Sequence, residues 1–240
     1  MKTIHLFISV AVLLLAGCGS RQQQQAEDAI KSPKHIGGDA TRYGLACDGS
    51  TDSILVLLPA EGNRLDTFDI IQAHEQHHIY GRPHIGDELA VILANDSTLE
   101  VSMVVNLSSL QGQWCYMVAP TLRNPLPPTL PDSIRERIMA EQEYSLRLKR
   151  DGTARAMGGM RNMRQRRSPM TMSPVTYPVP KRYASWQLTD GRLVLFTDST
   201  HKEAPDTVDI LSLRRDTLVL RFRNHEQKYY RKKEGASNEK

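Results

Sequence analysis

His74-Glu75-Gln76-His77-His78 spells H-E-x-x-H, the spacing at which two histidines one helical turn apart can bind zinc while the glutamate between them acts as general base. That chemistry needs a helix. Thr67 to Ala73 is rich in β-branched and aromatic residues, and Ile79-Tyr80-Gly81-Arg82-Pro83 cannot continue a helix, so the motif is expected at a hairpin tip. There His74 and His78 would not share a face. A looser divalent-metal site could draw on His74, His77, His78 and His84, with solvated turn histidines as the plain alternative. Met157, Met160 and Met163 stand three apart, with Met170 and Met172 following, and thioethers in such a run select Cu(I). Methionine is equally an adaptable apolar filler. Around that run Arg147, Lys149, Arg150, Arg155, Arg161, Arg164, Arg166 and Arg167 face only Asp151 among acids, which suits anionic headgroups or a solvated loop. Tyr177, Tyr183 and Trp186 are the aromatic residues that could line a pocket, although strand aromatics more often build core. There is no Gly-x-Ser-x-Gly elbow, P-loop or Gly-x-Gly-x-x-Gly, and the chain is expected to be non-enzymatic and to carry no cofactor.

These residues sit behind an N-terminal segment that states an address. Lys2 precedes an apolar run from Ile4 to Leu15, broken only by His5 and Ser9, too short to cross roughly 30 Å of hydrocarbon. It reads as a secretion signal. The run ends in Leu15-Ala16-Gly17-Cys18, which resembles the lipobox of bacterial lipoproteins. That resemblance implies removal of residues 1–17, acylation of Cys18 and attachment to a membrane through the N-terminal lipid. Residues 18–40, with Gln22 to Gln25, lack large apolar runs and form a polar tether, reaching about 25 Å if it behaves as a flexible coil. Gly19 follows the cysteine in place of aspartate, and no acidic cluster occupies Gly19 to Gln25. The expected location is therefore the cell envelope, on the periplasmic face of the outer membrane, where nucleic acid is not a partner and protein partners are unnamed.

With 240 residues, 40% hydrophobic and 24% charged, the chain excludes collagen, disulfide knots and polytopic membrane proteins, and it can bury a core without metals or bridges. A net charge of +4 names no partner. From Tyr43 onward the apolar residues arrive in short runs of period two, so the fold is expected to be all-β. Ser53 to Leu58 looks buried on both faces, whereas Leu99, Val101, Met103 and Val105 alternate with polar neighbours. Asp48-Gly49, Asp151-Gly152 and Asp190-Gly191 supply hairpin turns. After Pro125 to Pro131, Ser133 and Glu136 make a capping-box pair, and one short helix is expected over Ile134 to Gln142. A polar connection, Asn106 to Leu110, separates two small antiparallel β domains: 41–108, OB-like or sandwich, and 109–233, followed by a tail at 234–240.

Leu110-Gln111-Gly112-Gln113-Trp114 opens the second group with Gly-x-Trp, and the strands read at Ser145–Ala156, Tyr183–Phe196, Asp206–Leu213, Thr217–Phe222 and Gln227–Arg231 follow in turn. This half resembles the lipocalin-like families. The resemblance implies an up-and-down barrel that binds a small apolar or amphipathic molecule or an envelope partner, with Trp114 packed against Arg231 at the closed end. The long insertion Ala156 to Pro180 departs from that pattern. Metal handling through the histidines or methionines is the rival reading, and a zinc metallopeptidase through His74, Glu75 and His78 a distant third. Cys47 and Cys115 would close a 69-residue loop if bridged, a constraint of about 4 kcal/mol in the chain-entropy model, and two free thiols are the alternative. If Cys18 carries the anchor, Cys18→Ser shifts the protein from the membrane fraction to the soluble envelope fraction on fractionation, and unchanged partition would refute the lipobox.

Overall fold

A computed structural model describes residues 41–60, 62–95, 99–158 and 174–232. The signal segment, Cys18 and the tether, Met160 and Met163 with most of the insertion, and the 234–240 tail lie outside the described residues. The fold is all-β. Its first sheet holds β1 (Arg42–Ala46), β2 (Ile54–Pro59), β3 (Asp66–Asp69), β4 (Ile79–Tyr80), β5 (Glu88–Leu93) and β6 (Val101–Asn106), in the order β3-β2-β1-β5-β6-β4. All pairings are antiparallel except β4 with β6, which is parallel and departs from the antiparallel expectation. A parallel bridge from Asp69 to Glu100 joins the outer strand β3 to the start of β6, so the sheet curls back on itself as a small, partly closed barrel.

Alternation decides what this barrel buries. Leu55 and Leu57 of β2 point inward with Phe68, Leu89, Val91, Val101 and Val104, while Ile54 is exposed and Val56 and Leu58 are only half-buried. The Ser53 to Leu58 run is therefore buried on one face, not two, because β2 lies in a curled single sheet with solvent on its outer side. Between β3 and β4 a helical turn, α1 (Ile71–Glu75), is started by the Asp69 carboxylate, whose Oδ1 accepts from the Ile71 N–H at 2.9 Å, and is pinned by fully buried Ala73.

Asn106 to Leu110, expected as a polar connection, is a helical turn, α2 (Leu107–Leu110), with Asn106 as its cap: its Oδ1 accepts from the Ser109 N–H at 2.8 Å. The Asn106 amide donates in turn to the Asp87 carboxylate and the Arg82 carbonyl, which satisfies a fully buried polar side chain. Leu107 and Leu110 are both core.

The second sheet is an eight-stranded meander: β7 (Gly112–Val118), β9 (Gln142–Leu148), β10 (Ala154–Met157), β12 (Ser185–Thr189), β13 (Arg192–Phe196), β14 (Asp206–Leu213), β15 (Thr217–Phe222) and β16 (His225–Arg231). Its order is β10-β9-β7-β16-β15-β14-β13-β12, antiparallel throughout, so the first strand pairs with the last. The outer strands β10 and β12 meet through a Thr153–Ser185 bridge and through hydrogen bonds from Ala154 N–H to Ala184 O and from Trp186 N–H to Gly152 O. The sheet is thus a nearly closed up-and-down barrel. Asp190 and Gly191 both take positive φ, 47° and 75°, and make the two-residue turn between β12 and β13. The long connections carry a two-stranded ribbon of β8 (Thr121–Leu122) and β11 (Val175–Thr176), and the helix α3 (Asp132–Ile138). That helix starts earlier than the sequence suggests: Pro131 is its N-cap, so Ser133 falls inside the first turn and no capping box forms, and Gln142 already belongs to β9. Among the described residues no helix is long and apolar enough to cross a membrane.

The core of the second barrel extends into the first, which also keeps a cluster of its own. Tyr43, Ala90 and Val105 of the first pack with Leu107, Leu110, Trp114, Leu148, Trp186, Leu193, Leu213 and Leu218, and the Tyr43 hydroxyl donates to the Leu188 carbonyl at 2.6 Å. Gly81 N–H donates to Leu213 O across the same joint. A Cβ at Gly81 would meet Asn106 Cβ at 2.9 Å, Ser109 Cβ at 3.0 Å and Leu213 Cδ2 at 3.2 Å, whereas Gly86, also at positive φ, has open space around it. Gly86→Ala should therefore cost only the backbone strain, roughly 1 kcal/mol, and Gly81→Ala should cost about 1–3 kcal/mol more through crowding at the joint. Equal urea midpoints for the two variants would show that the joint is not tightly packed.

Candidate functional site

One end of the second barrel is sealed by a single cation. Arg231, at the end of β16, lies opposite Trp114 on β7, and its Cζ stands 4.1 Å from the centroid of the Trp114 ring. The guanidinium also donates to the Gln111 carbonyl at 2.8 Å, to the Ser109 carbonyl, and through Nε to the Arg215 carbonyl at 2.8 Å. Trp114 is fully buried and its Nε1–H donates to the Leu110 carbonyl at 2.7 Å. These bonds satisfy the open carbonyls of α2 and the loop after it, which is why the Gly-x-Trp strand must follow a helical turn. Burial lowers the Arg231 pKa from its ordinary value, an effect countered by Asp216. Behind the seal the interior is packed: Leu146, Leu148, Trp186, Leu193, Leu195 and Leu218 are buried and face one another from successive strands.

The far end has a different lining. Period two carries the inward face of β7 from Trp114 to Tyr116 and that of β9 from Leu148 through Leu146 to Tyr144. Tyr116 lies 5.7 Å from Tyr144 and meets Tyr229 edge-on at 5.1 Å, with half-buried Phe222 and Tyr183 packed against the same core. Burial pushes the Tyr229 and Tyr116 hydroxyls above the usual phenol range. At the rim the Tyr183 hydroxyl donates to Asp206 Oδ2 at 2.8 Å, and Lys181 Nζ reaches the same carboxylate at 2.7 Å. Burial pushes Asp206 upward, but the hydrogen bonds from Lys181 and Tyr183 outweigh it and hold the carboxylate below its usual range. Burial and Asp206 push Tyr183 far up. The ends of the insertion close over Tyr144: its hydroxyl donates to the Pro178 carbonyl at 2.6 Å, and Gly158 packs against its ring, where no Cβ would fit.

Of the pocket residues named from sequence, only Tyr183 stands in this group. Trp186 is fully buried in the sealed half, its Nε1–H donating to the Lys149 carbonyl, because it faces inward at the seam between β12 and β10. Tyr177 lies near Tyr144, its hydroxyl committed to the Ala140 carbonyl. Tyr116, Tyr144, Tyr229 and Asp206 were not singled out, although strict alternation from Trp114 and Leu146 places the first two inward.

The metal candidates do not converge. His74 and Glu75 end α1, a helical turn where a hairpin tip was expected, because Asp69 and Ala73 anchor that turn. His77 has a φ of 59°, so the helix stops before His78, whose Nδ1 lies 3.2 Å from the Ser102 carbonyl and whose ring stacks on Tyr80. Met157 is an exposed residue of β10, and among the described residues no group of three or more His, Cys, Asp or Glu could hold a metal ion.

Cys47 and Cys115 are free thiols, so the bridge between the two halves is not formed. Cys47 follows β1 in the first barrel, its Sγ directed at the Leu45 carbonyl. Cys115 alternates with Trp114 and so faces out of the second barrel, beside a Glu143 carboxylate that accepts from Lys232 at 2.6 Å and Tyr230 at 2.7 Å. Burial, then the negative Glu143, pushes the Cys115 thiol up to about 11, so it stays protonated and unreactive at neutral pH.

Compared with protein-family models, curated proteins and solved structures, the chain matches none. The sealed end then makes the most direct stability test. Arg231→Ala removes the cation over Trp114 and three charge-assisted hydrogen bonds and should cost roughly 3 kcal/mol. Arg231→Lys, which keeps the charge without the planar fork, should cost about half of that. Denaturant unfolding followed by tryptophan fluorescence reads both, and indifference to Arg231→Ala would remove the seal from the account.

Proposed function

We propose that this chain is a non-enzymatic, lipid-anchored protein of a bacterial cell envelope whose second barrel takes up a small apolar or amphipathic molecule. The observation that carries the reading is the asymmetry of the barrel: one end is plugged by Trp114 and Arg231, and the other is lined by Tyr116, Tyr144, Tyr229 and Phe222. Small barrels of about eight strands either fill their interior or enclose one small ligand, and here the side chains next to the seal are leucines and tryptophan while tyrosine rings gather toward the other end. An amphipathic ligand fits that gradient. Its apolar part lies against the tyrosine rings, which are apolar on their faces and polar at their tips, and its polar head meets Lys181, Asp206 and the Tyr183 hydroxyl. The seat is shallow, since Trp186 and the leucines occupy the depth. The lipobox-like Leu15-Ala16-Gly17-Cys18 and the polar tether behind it support attachment to a membrane, from which such ligands are drawn.

A fluorescent fatty acid serves as the probe. The full chain should bind it saturably, and Tyr116→Leu, which deletes one ring from the lining, should weaken binding by about tenfold with the melting temperature little changed. Native mass spectrometry of protein taken from its own host should find a retained mass of lipid size. Absence of both saturable probe binding and a retained mass would overturn the reading.

A further inference from the structure

The outer wall of the second barrel carries a pairing that the ligand reading does not use. Arg147 on β9 stands directly opposite Arg155 on β10, and both side chains are exposed on the outward face. Two residues on, just past the end of β9, exposed Lys149 continues the same face into the turn. Like charges set opposite each other across an antiparallel pair repel and destabilise the sheet, so this register works against the fold unless an anion sits between them. Five other cations of this half are neutralised locally: Arg150 by Glu88, Lys181 by Asp206, Arg192 by Asp209, Arg221 by Glu226 and Lys232 by Glu143. Among the described residues Arg147 and Arg155 have no acid partner. Asp151, the nearest acid in sequence, is turned into its own hairpin, where its carboxylate accepts from the Thr153 N–H at 2.9 Å. Met157, exposed two residues beyond Arg155 on the same face, adds an apolar edge to the pair.

We propose that Arg147 and Arg155 form a binding site for a phosphoryl group, carried either on a lipid headgroup or as soluble phosphate. Each guanidinium presents a planar fork that matches two phosphoryl oxygens, and two forks on adjacent strands can share one tetrahedral anion. A bound anion also screens the repulsion between the two arginines, so the fold and the ligand stabilise each other. The site lies outside the barrel and is independent of the ligand at the tyrosine end.

The test compares the full chain with the double variant Arg147→Gln/Arg155→Gln and with a control that loses the same charge elsewhere, Arg192→Gln/Arg221→Gln. Three probes are used at physiological salt: phosphatidylcholine vesicles with and without phosphatidylglycerol, inorganic phosphate, and a single-stranded oligonucleotide. The parent should prefer phosphatidylglycerol vesicles, and the double variant should bind them roughly thirtyfold more weakly, the effect of two surface cations. The control should change binding by less than about twofold, since each of its arginines is already held by an acid. Without ligand, the double variant should melt no lower than the parent, because like-charge repulsion has been removed. A loss confined to vesicles assigns the site to a lipid headgroup, and a loss confined to inorganic phosphate assigns it to a soluble phosphate. Equal loss in the control, no loss in the double variant, or loss of oligonucleotide binding alone would overturn the proposal.

Discussion

Everything in this structure hangs on one guanidinium. Arg231 ends the last strand, covers the ring of Trp114 in the first, and bonds to carbonyls in the segment between α2 and β7 and in the loop before β15. It thus joins the exit from the first barrel and the adjoining opening strand of the second to the closing strand, 120 residues beyond Gln111. Without a group that has several donors in fixed directions, the half-buried carbonyls of Ser109 and Gln111 would lose these partners.

The same corner makes the two barrels mechanically continuous. Leu107 and Leu110 emerge from the first barrel and become the floor of the second, and Tyr43 reaches across to Leu188. Gly191, at the tip of a hairpin of the second barrel, lies under Met103 of the first with no room for a Cβ. Residues of both halves contribute to one buried cluster, so the joint is packed like an interior and not like a contact between independent bodies.

Much of this was legible in the sequence, and the reasons are physical. Period-two alternation is strong wherever one face meets a core, so strands such as β14, β15 and β16 fall where Asp206–Leu213, Thr217–Phe222 and Gln227–Arg231 read as strands. Asp-Gly announces the β12–β13 turn because two successive positive φ values are needed there. The Trp114 and Arg231 partnership is implied by the resemblance to lipocalin-like families, and closure of the meander accounts for it, since β7 and β16 pair with Arg231 opposite Trp114. Short helices were less legible. Asn106 to Leu110 reads as polar because only two of its five residues are apolar, yet both are buried. α1 escapes propensity because a carboxylate and one buried alanine, neither a strong local signal, hold it in place. The tyrosine lining was missed for a related reason: Trp186 and Tyr183 are near neighbours in sequence, but strand position sends one to the packed depth and the other to the rim. Composition near a site says little about which end of a barrel a residue occupies.

Antiparallel closure of β7 against β16 has one more consequence. The described chain enters beside Tyr43 and leaves after Arg231, and both residues sit at the waist where the barrels meet. Whatever is joined to either end of the described chain therefore emerges at that waist, away from the tyrosine end of the second barrel.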